Sequence, residues 1–502
     1  MLRRDILRAL AASPAGAIGL RGQDRLEPVA VQAGDVTHGR AVVWTRAARP
    51  GKMTVRYRTS DSGPARTVQG PALSAATDFT GRVELSGLPD GQRILYEVSV
   101  DGGAALRGHF VTPPGAGGDV RFLWSGDMVG QGWGINPDLG GIRIFEEMRK
   151  LEPHFFIHSG DSIYADSPVP AEVTLPDGRK WRNRVSEEKS SVAQTLDEFR
   201  GCYRYNLLDE NVQRFSASVA QIWQWDDHEV TNNWSPSKDF SGDARYAEKN
   251  IRVLVERARK AYLEYAPLRL NRKEPGRIYR KISYGPLLDV FVVDMRSYRG
   301  PNTFNLQAAE SAETVFLGRA QMNWLKQDLK QSRAAWKVIA ADMPVGLVVG
   351  DGKDAQGRTR YEAIANGNGP ALGRELEIAG LLRFLKQNGV KNTVWLTADV
   401  HYTAAHYYDP AKAKFADFLP FWEFVSGPLN AGTFGPGVLD DTFGPRVEFA
   451  RAPAKGQSNL SPLDGMQFFG DVRIDGKSRE LTVVLRDMTG TGLYSKTLAV
   501  EA

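Results

Sequence analysis

The chain has 502 residues, 42% of them hydrophobic and 25% charged, with a formal net charge of +5. That composition suits a water-soluble globular protein of two or three domains and is too weakly basic to argue for specific nucleic-acid recognition. A single cysteine, Cys202, excludes an internal disulfide and any cysteine-built zinc or iron–sulfur site. It falls in a helical stretch and reads as a packed thiol.

Residues 1–26 open with Arg3-Arg4 and continue into an apolar, small-residue run from Ala9 to Leu20. A basic start, a twin arginine and a short hydrophobic core resemble a twin-arginine export signal, and the core is too short to span a bilayer. The expectation is a periplasmic or extracellular protein, handed over by the twin-arginine export machinery and carrying no transmembrane anchor. Residues 27–113 change to short β segments, Arg40 to Thr45, Met53 to Tyr57 and Ile94 to Val100, separated by Gly and Asp turns. They predict a small antiparallel sandwich of fibronectin or immunoglobulin type, with no ligand cluster of its own. Pro113 to Gly118 is a linker.

A second unit, 119–502, alternates strands and helices. Val120 to Trp124 and Phe155 to His158 read as buried strands around a helix at Gly141 to Lys150, a βαβ unit with both strands ending in Gly-Asp. Helical material follows from Val192 to Phe215, then a strand from Ser218 to Trp225 and a charged helix from Ala244 to Tyr265. Further strands are expected at Ile278 to Tyr284, Leu287 to Val293, Trp336 to Ala341 and Asn392 to Thr397, with helices at Ala320 to Gln331 and Leu376 to Gln387. The tail from Val472 to Val500 reads as antiparallel strands.

Strand after strand thus ends in a metal-type ligand: Asp127, Asp161 with Tyr164, Asp227 with His228, Asp342, and Asp399 with His401. In α/β sheets the C-terminal strand edges are where ligands sit. A mononuclear site needs three or four protein ligands. This inventory suffices for two cations sharing a bridging carboxylate, at the roughly 3.5–4 Å separation of two-metal hydrolases. Carboxylates suit hard ions, imidazole suits transition metals, and a phenolate from Tyr164 favours a trivalent one. Either Asp226 or Asp227 serves as the ligand, with Asp227 favoured and its neighbour orienting His228. His158 and His154 read as core histidines, and His406, on the loop beyond His401, is a lesser candidate for the pocket rim.

The ordered motifs His158 to Tyr164, Trp225 to Trp234, Val293 to Arg299, Thr397 to His401 and Phe424 to Gly432, with Gln32 to Asp35 and Val43 to Arg46 before them, resemble the alkaline phosphatase D (PhoD-like) family of metallophosphatases. The resemblance implies an α/β fold, a four-layer αββα sandwich preceded by the small β-sandwich. It implies a secreted metal-dependent phosphoesterase acting on phosphomonoesters, phosphodiester polymers or lipids, with a metal-activated hydroxide attacking phosphorus in line. Two or more ions are implied: Fe³⁺ on Asp127, Asp161, Tyr164 and His401, and Ca²⁺ or another divalent ion on Asp161, Asp227 and Asp399, with Asp342 a further candidate. His228 would meet the phosphate or protonate the leaving alkoxide, while Arg296, Arg299 and Asn233 would bind substrate. Asp127 stands where the best-known members carry cysteine, which makes that position harder. Two other functions fit the same residues: phospholipase D-like hydrolysis of lipid headgroup diesters, which the aromatic-rich stretch Phe415 to Phe424 neither demands nor excludes, and a non-catalytic envelope-binding protein with structural metals.

Overall fold

The computed structural model describes residues 28–59 and 63–501, so the twin-arginine stretch lies outside the described residues. Two large sheets face each other. The first has nine strands, in the order Gly492–Leu498, Leu481–Asp487, Phe468–Ile474, Val120–Ser125, Phe155–Ser159, Ala220–Gln224, Pro28–Thr37, Arg40–Ala47, Thr80–Ser86. The second has seven, in the order Arg280–Tyr284, Leu288–Val292, Trp336–Ala340, Thr393–Thr397, Phe421–Val425, Thr403–Tyr408, Pro445–Arg451.

The layering follows from the two-residue period of a strand. Phe122, Trp124, Phe155, Ile157 and Ile222 of the first sheet pack against Val290, Val292, Val338, Ala340, Val394 and Leu396 of the second. The residues between them point the other way: Leu123 and Phe156 meet helices Ile144–Lys150 and Glu210–Ser218. Phe291, Ile339 and Trp395 meet helices Arg319–Gln331 and Glu375–Gln387. Strands apolar on both faces are what a sheet buried on both sides requires. The result is the expected four-layer arrangement, helix, sheet, sheet, helix.

The expected small sandwich forms between two sheets, one of which is not its own. Arg66–Leu73, Gly51–Arg58, Arg93–Val100 and Leu106–Val111 make a separate four-stranded sheet. Its facing strands, Pro28–Thr37, Arg40–Ala47 and Thr80–Ser86, continue the nine-stranded sheet, because Pro28–Thr37 pairs in parallel with Ala220–Gln224. Asp35 fixes this seam: it is fully buried, accepts Arg280 Nη2 at 2.7 Å and the Arg269 amide at 2.8 Å. A Cβ on Gly34 would lie 2.3 Å from the Pro267 carbonyl.

Several elements differ from expectation. The helical material from Val192 to Phe215 resolves into two helices, Leu196–Asn206 and Glu210–Ser218. Thr195 and Glu198 form a capping box at the first, and Asp209 breaks the run by accepting the Asn211 and Val212 amides at 2.9 and 3.0 Å. Phe415, Phe418 and Phe421 pack under the outer face of the second sheet, and Phe421–Val425 is itself a strand. That aromatic run is core, not cleft.

His158 is a core histidine, as expected. Burial pushes its pKa down to about 3, against the pull of the Gly160 backbone. A histidine kept neutral in the fold takes up its proton only on unfolding, so stability is full above the unfolded value of 6.5 and is lost as pH falls toward 3. At about pH 5 the penalty is about 2 kcal/mol. Urea titrations at about pH 7.5 and about pH 5 will show a stability difference about 2 kcal/mol smaller for His158→Phe than for the unmodified chain. An equal difference in both proteins removes His158 as its source.

Candidate metal centre

Six parallel strands, three from each sheet, are followed two residues later by an aspartate. Ser125 leads to Asp127, Ser159 to Asp161, Gln224 to Asp226, Val292 to Asp294, Ala340 to Asp342 and Thr397 to Asp399. A shared offset brings the carboxylates to one level at the C-terminal edges of both sheets. Four ligand candidates reach that level through left-handed backbone: Asp127 (φ 62°), Asp161 (51°), Asp399 (64°) and His401 (60°). Each costs on the order of 1 kcal/mol for a residue with a Cβ, and such strain gathers where geometry serves a site.

The acids and imidazoles form three overlapping groups, each with ligand atoms within 4.8 Å of one another: Asp127, Asp161 and His401; Asp161, Asp227 and His228; Asp226, Asp227 and Asp399. Asp161 and Asp227 are each shared, which spaces the groups as neighbouring ion positions. Tyr164 Oη lies 2.8 Å from His401 Nε2, and His401 Nδ1 donates to the Gly432 carbonyl, leaving Nε2 as the ring's electron-pair donor. Asp127 Oδ1 is 3.7 Å from the same nitrogen. A Cβ on Gly427 would lie 2.1 Å from Asp127 Oδ2, so glycine there leaves the carboxylate its space.

The residues present fit cations. Asp127 Oδ2, Asp161 Oδ2, Asp226 Oδ2 and Asp227 Oδ1 are buried with no hydrogen-bond donor. Buried carboxylate oxygens without a partner are costly, and paired charge or a metal is what relieves them. Burial, then Asp399 and other nearby carboxylates, pushes Asp127 well above the usual carboxylate range, and burial does the same to Asp161. Burial takes Asp399 up to about 8 despite the opposing Arg296. Oxygen, phenol and imidazole donors together suit hard and borderline ions.

Around this floor sit groups that chain position alone did not reveal. Asp166 accepts His228 Nδ1 at 2.6 Å and the Asn232 amide at 2.8 Å. The His228 ring stacks on Tyr164 with centroids 4.2 Å apart. Burial lowers the His228 pKa, but Asp166, Asp227 and Asp161 outweigh it and hold the value well above the ordinary one. Glu229 takes the amides of Asp161, Ser162 and Asp226 at 3.1, 2.7 and 2.7 Å, tying two ligand loops together. The Asn233 amide donates to Asp227 Oδ2.

Arg296, Arg299 and Asp342 are corrected by the structure. The Arg296 guanidinium is 0% exposed and lies inside a carboxylate cage: Nε to Asp226 Oδ1 2.6 Å, Nε to Asp342 Oδ2 3.2 Å, Nη1 to Glu362 Oε2 2.7 Å, and Nη2 to Asp399 Oδ1 3.6 Å. Arg299 is buried beside it, Nη1 to Glu362 at 3.0 Å. Neither borders the cleft; both pair with buried carboxylates behind it. Asp342 spends its oxygens on Arg296 and the Met343 amide, and it belongs to none of the three ligand groups among the described residues. His406, the lesser rim candidate, is buried and bonds Glu423 at 2.9 Å.

The centre floors an open cleft of about 830 Å³ bordered by Asp161, Asp227, His228, Asn233, Asp399 and His401. Paired sheets with helices outside, and clustered carboxylates and imidazoles at their common edge, define a protein of metallophosphatase architecture. The chain belongs to the PhoD-like phosphatase family, whose model matches residues 122–485, while that of the family's N-terminal domain matches residues 19–114. It is 26% identical over 315 residues to alkaline phosphatase D of Bacillus subtilis (strain 168), covering 60% of this chain and 50% of that protein. The chain thus spans about half the length of that relative. The solved structure of PhoD superimposes with a TM-score of 0.69 at 19% identity, over 94% of this chain and 88% of that one. A purple acid phosphatase from yellow lupin (Lupinus luteus) seeds gives 0.55 at 13% identity, over 94% and 74%.

Proposed function

We propose that this chain is a metal-dependent phosphoesterase, exported through its twin-arginine stretch, with an accessory module over 27–113 and a catalytic one over 119–502. The observation that carries the reading is the set of ligand groups linked through Asp161 and Asp227, with unsatisfied buried oxygens, on the floor of an open cleft. Asp127, Asp161, Tyr164 and His401 would hold Fe³⁺, and Asp161, Asp227 and Asp399 would hold Ca²⁺ or another divalent ion. Bound there, two ions supply activation of water and neutralisation of charge on the phosphoryl oxygens. His228 is the proton donor to the leaving alkoxide: Asp166 fixes its Nδ1, leaving Nε2 to give up the proton. Asn233, on the cleft wall, contacts the bound ester. Arg296 and Arg299 position ligands and touch no substrate.

A purely structural metal role is disfavoured, since structural sites are closed and this one opens on a cleft. The protein purified with its metals will hydrolyse p-nitrophenyl phosphate, bis(p-nitrophenyl) phosphate or both, lose that activity on chelation and regain it when metal returns. Elemental analysis of the same sample reports which ions it holds. Binding of metal with no turnover of either ester sinks the enzymatic reading and leaves the binding protein.

A further inference from the structure

One residue bordering the cleft, Gln131, stands between two glycines, Gly130 and Gly132. Gly130 leaves room for the Tyr164 ring, whose Cδ1 would lie 2.3 Å from a Cβ there. Gln131 itself takes left-handed backbone (φ 53°), as four ligand candidates do, although it is a long residue with a Cβ. It is held from three directions. Its amide donates to Ser167 Oγ at 2.8 Å, its carbonyl accepts Asn459 Nδ2 at 3.1 Å, and its side-chain Oε1 accepts the Gly432 amide at 3.3 Å. Ser167 closes the turn that begins at Tyr164, and Gly432 is the residue whose carbonyl takes His401 Nδ1. Gln131 is therefore fixed relative to two ligand candidates of the centre.

A backbone amide can only donate, so the Gly432 contact decides which end of the Gln131 side chain is oxygen and which is nitrogen. Nε2 is left with both of its N–H groups, and it makes no hydrogen bond to any described residue. Gln131 is half-buried and borders the same cleft as Asp161, His228 and His401. We infer that Gln131 Nε2 is a substrate-contacting donor that binds a non-bridging phosphoryl oxygen. The inference rests on the phosphoesterase reading for the presence of phosphorus at the centre. An ionised phosphoryl oxygen only accepts, and the ionised acids on the cleft floor offer it no proton, so an anchored neutral amide supplies what they lack. A glutamine kept at strained backbone between two glycines, with its oxygen tied down, presents that nitrogen without having to be ordered when substrate arrives.

The test uses the metal-loaded full chain and inorganic phosphate, with dissociation constants from calorimetry and metal content from elemental analysis. Gln131→Met removes both N–H groups and will weaken phosphate about tenfold, the effect of one hydrogen bond to a charged acceptor. Gln131→Glu keeps an acceptor for the Gly432 amide but turns an anion toward the phosphate, and will weaken it about a hundredfold. Both replacements are unbranched at Cβ, so neither adds strain at this backbone, and both will hold metal at the unmodified level. Phosphate affinity within twofold of the unmodified chain in Gln131→Glu, or no phosphate binding by the unmodified chain, overturns the contact. Metal lost from Gln131→Met with normal phosphate affinity in Gln131→Glu marks a role through Gly432 and His401 alone, and also overturns it. Hydrolysis of p-nitrophenyl phosphate is followed in parallel. Turnover by the unmodified chain with phosphate affinity unchanged in both variants removes the contact alone. Phosphate binding that both variants weaken, without turnover by the unmodified chain, supports the contact while removing the phosphoesterase reading.

Discussion

Asp161→Asn will lower kcat/KM by on the order of 10³ and reduce bound metal per chain, because the several kcal/mol supplied by the ions depend on a carboxylate common to two ligand groups. Asparagine is the informative replacement. It tolerates the left-handed backbone at this position (φ 51°) better than other residues with a Cβ. The amide of residue 161 keeps its bond to Glu229 at 3.1 Å, so the loop stays where it is. What is lost is one anionic ligand. Metal by elemental analysis, kcat/KM on a chromogenic ester and a thermal melt together decide the matter. A variant with full metal content and near-normal turnover would falsify the shared-ligand role.

The second large effect is on stability. Arg296→Met will destabilise the fold by about 3–5 kcal/mol, the range for removing one partner of a fully buried ion pair. Burial alone pulls Arg296 down, yet Asp226 and Glu362 keep it firmly charged. Its removal leaves Asp226 and Asp342 buried without a cation and leaves Glu362 with Arg299 alone. A surface pair such as Arg214 with Glu210, at 3.1 Å with side chains 52% and 83% exposed, is worth at most about 1 kcal/mol by contrast. Urea titration of the two variants Arg296→Met and Arg214→Met separates these cases. Equal, small losses in both would show that the cage does not hold the second ligand layer.

These two residues also mark what was legible in the chain. Asp127, Asp161, Asp227, Asp399 and His401 could be singled out as ligand candidates because each follows an apolar strand, so candidate and strand are local in sequence. Arg296 was misread as a substrate clamp because its partners lie 70, 46 and 66 residues away, at Asp226, Asp342 and Glu362. Nothing near Glu362 marks it as the acid between two buried arginines. Asp166 stood five residues past Asp161 in plain view, but its worth depends on His228 arriving from another loop. Among the strands, Thr403–Tyr408 and Phe421–Val425 escaped because both are buried on both faces and lack the alternation that marks a half-exposed strand. The merging of the N-terminal sandwich into the nine-stranded sheet turns on one parallel contact, Gly34 with Gln221, which no local pattern announces.

The order of strands in that sheet bears on how the chain emerges from the ribosome. Val120–Ser125 lies between Phe155–Ser159, made soon after it, and Phe468–Ile474, made far later. Until those late residues appear, a hydrophobic strand in the middle of the finished sheet has one edge bare, and bare edges recruit other chains. Removing the stretch from residue 468 onward therefore threatens insolubility before it threatens chemistry, although among the described residues no ligand group comes from it.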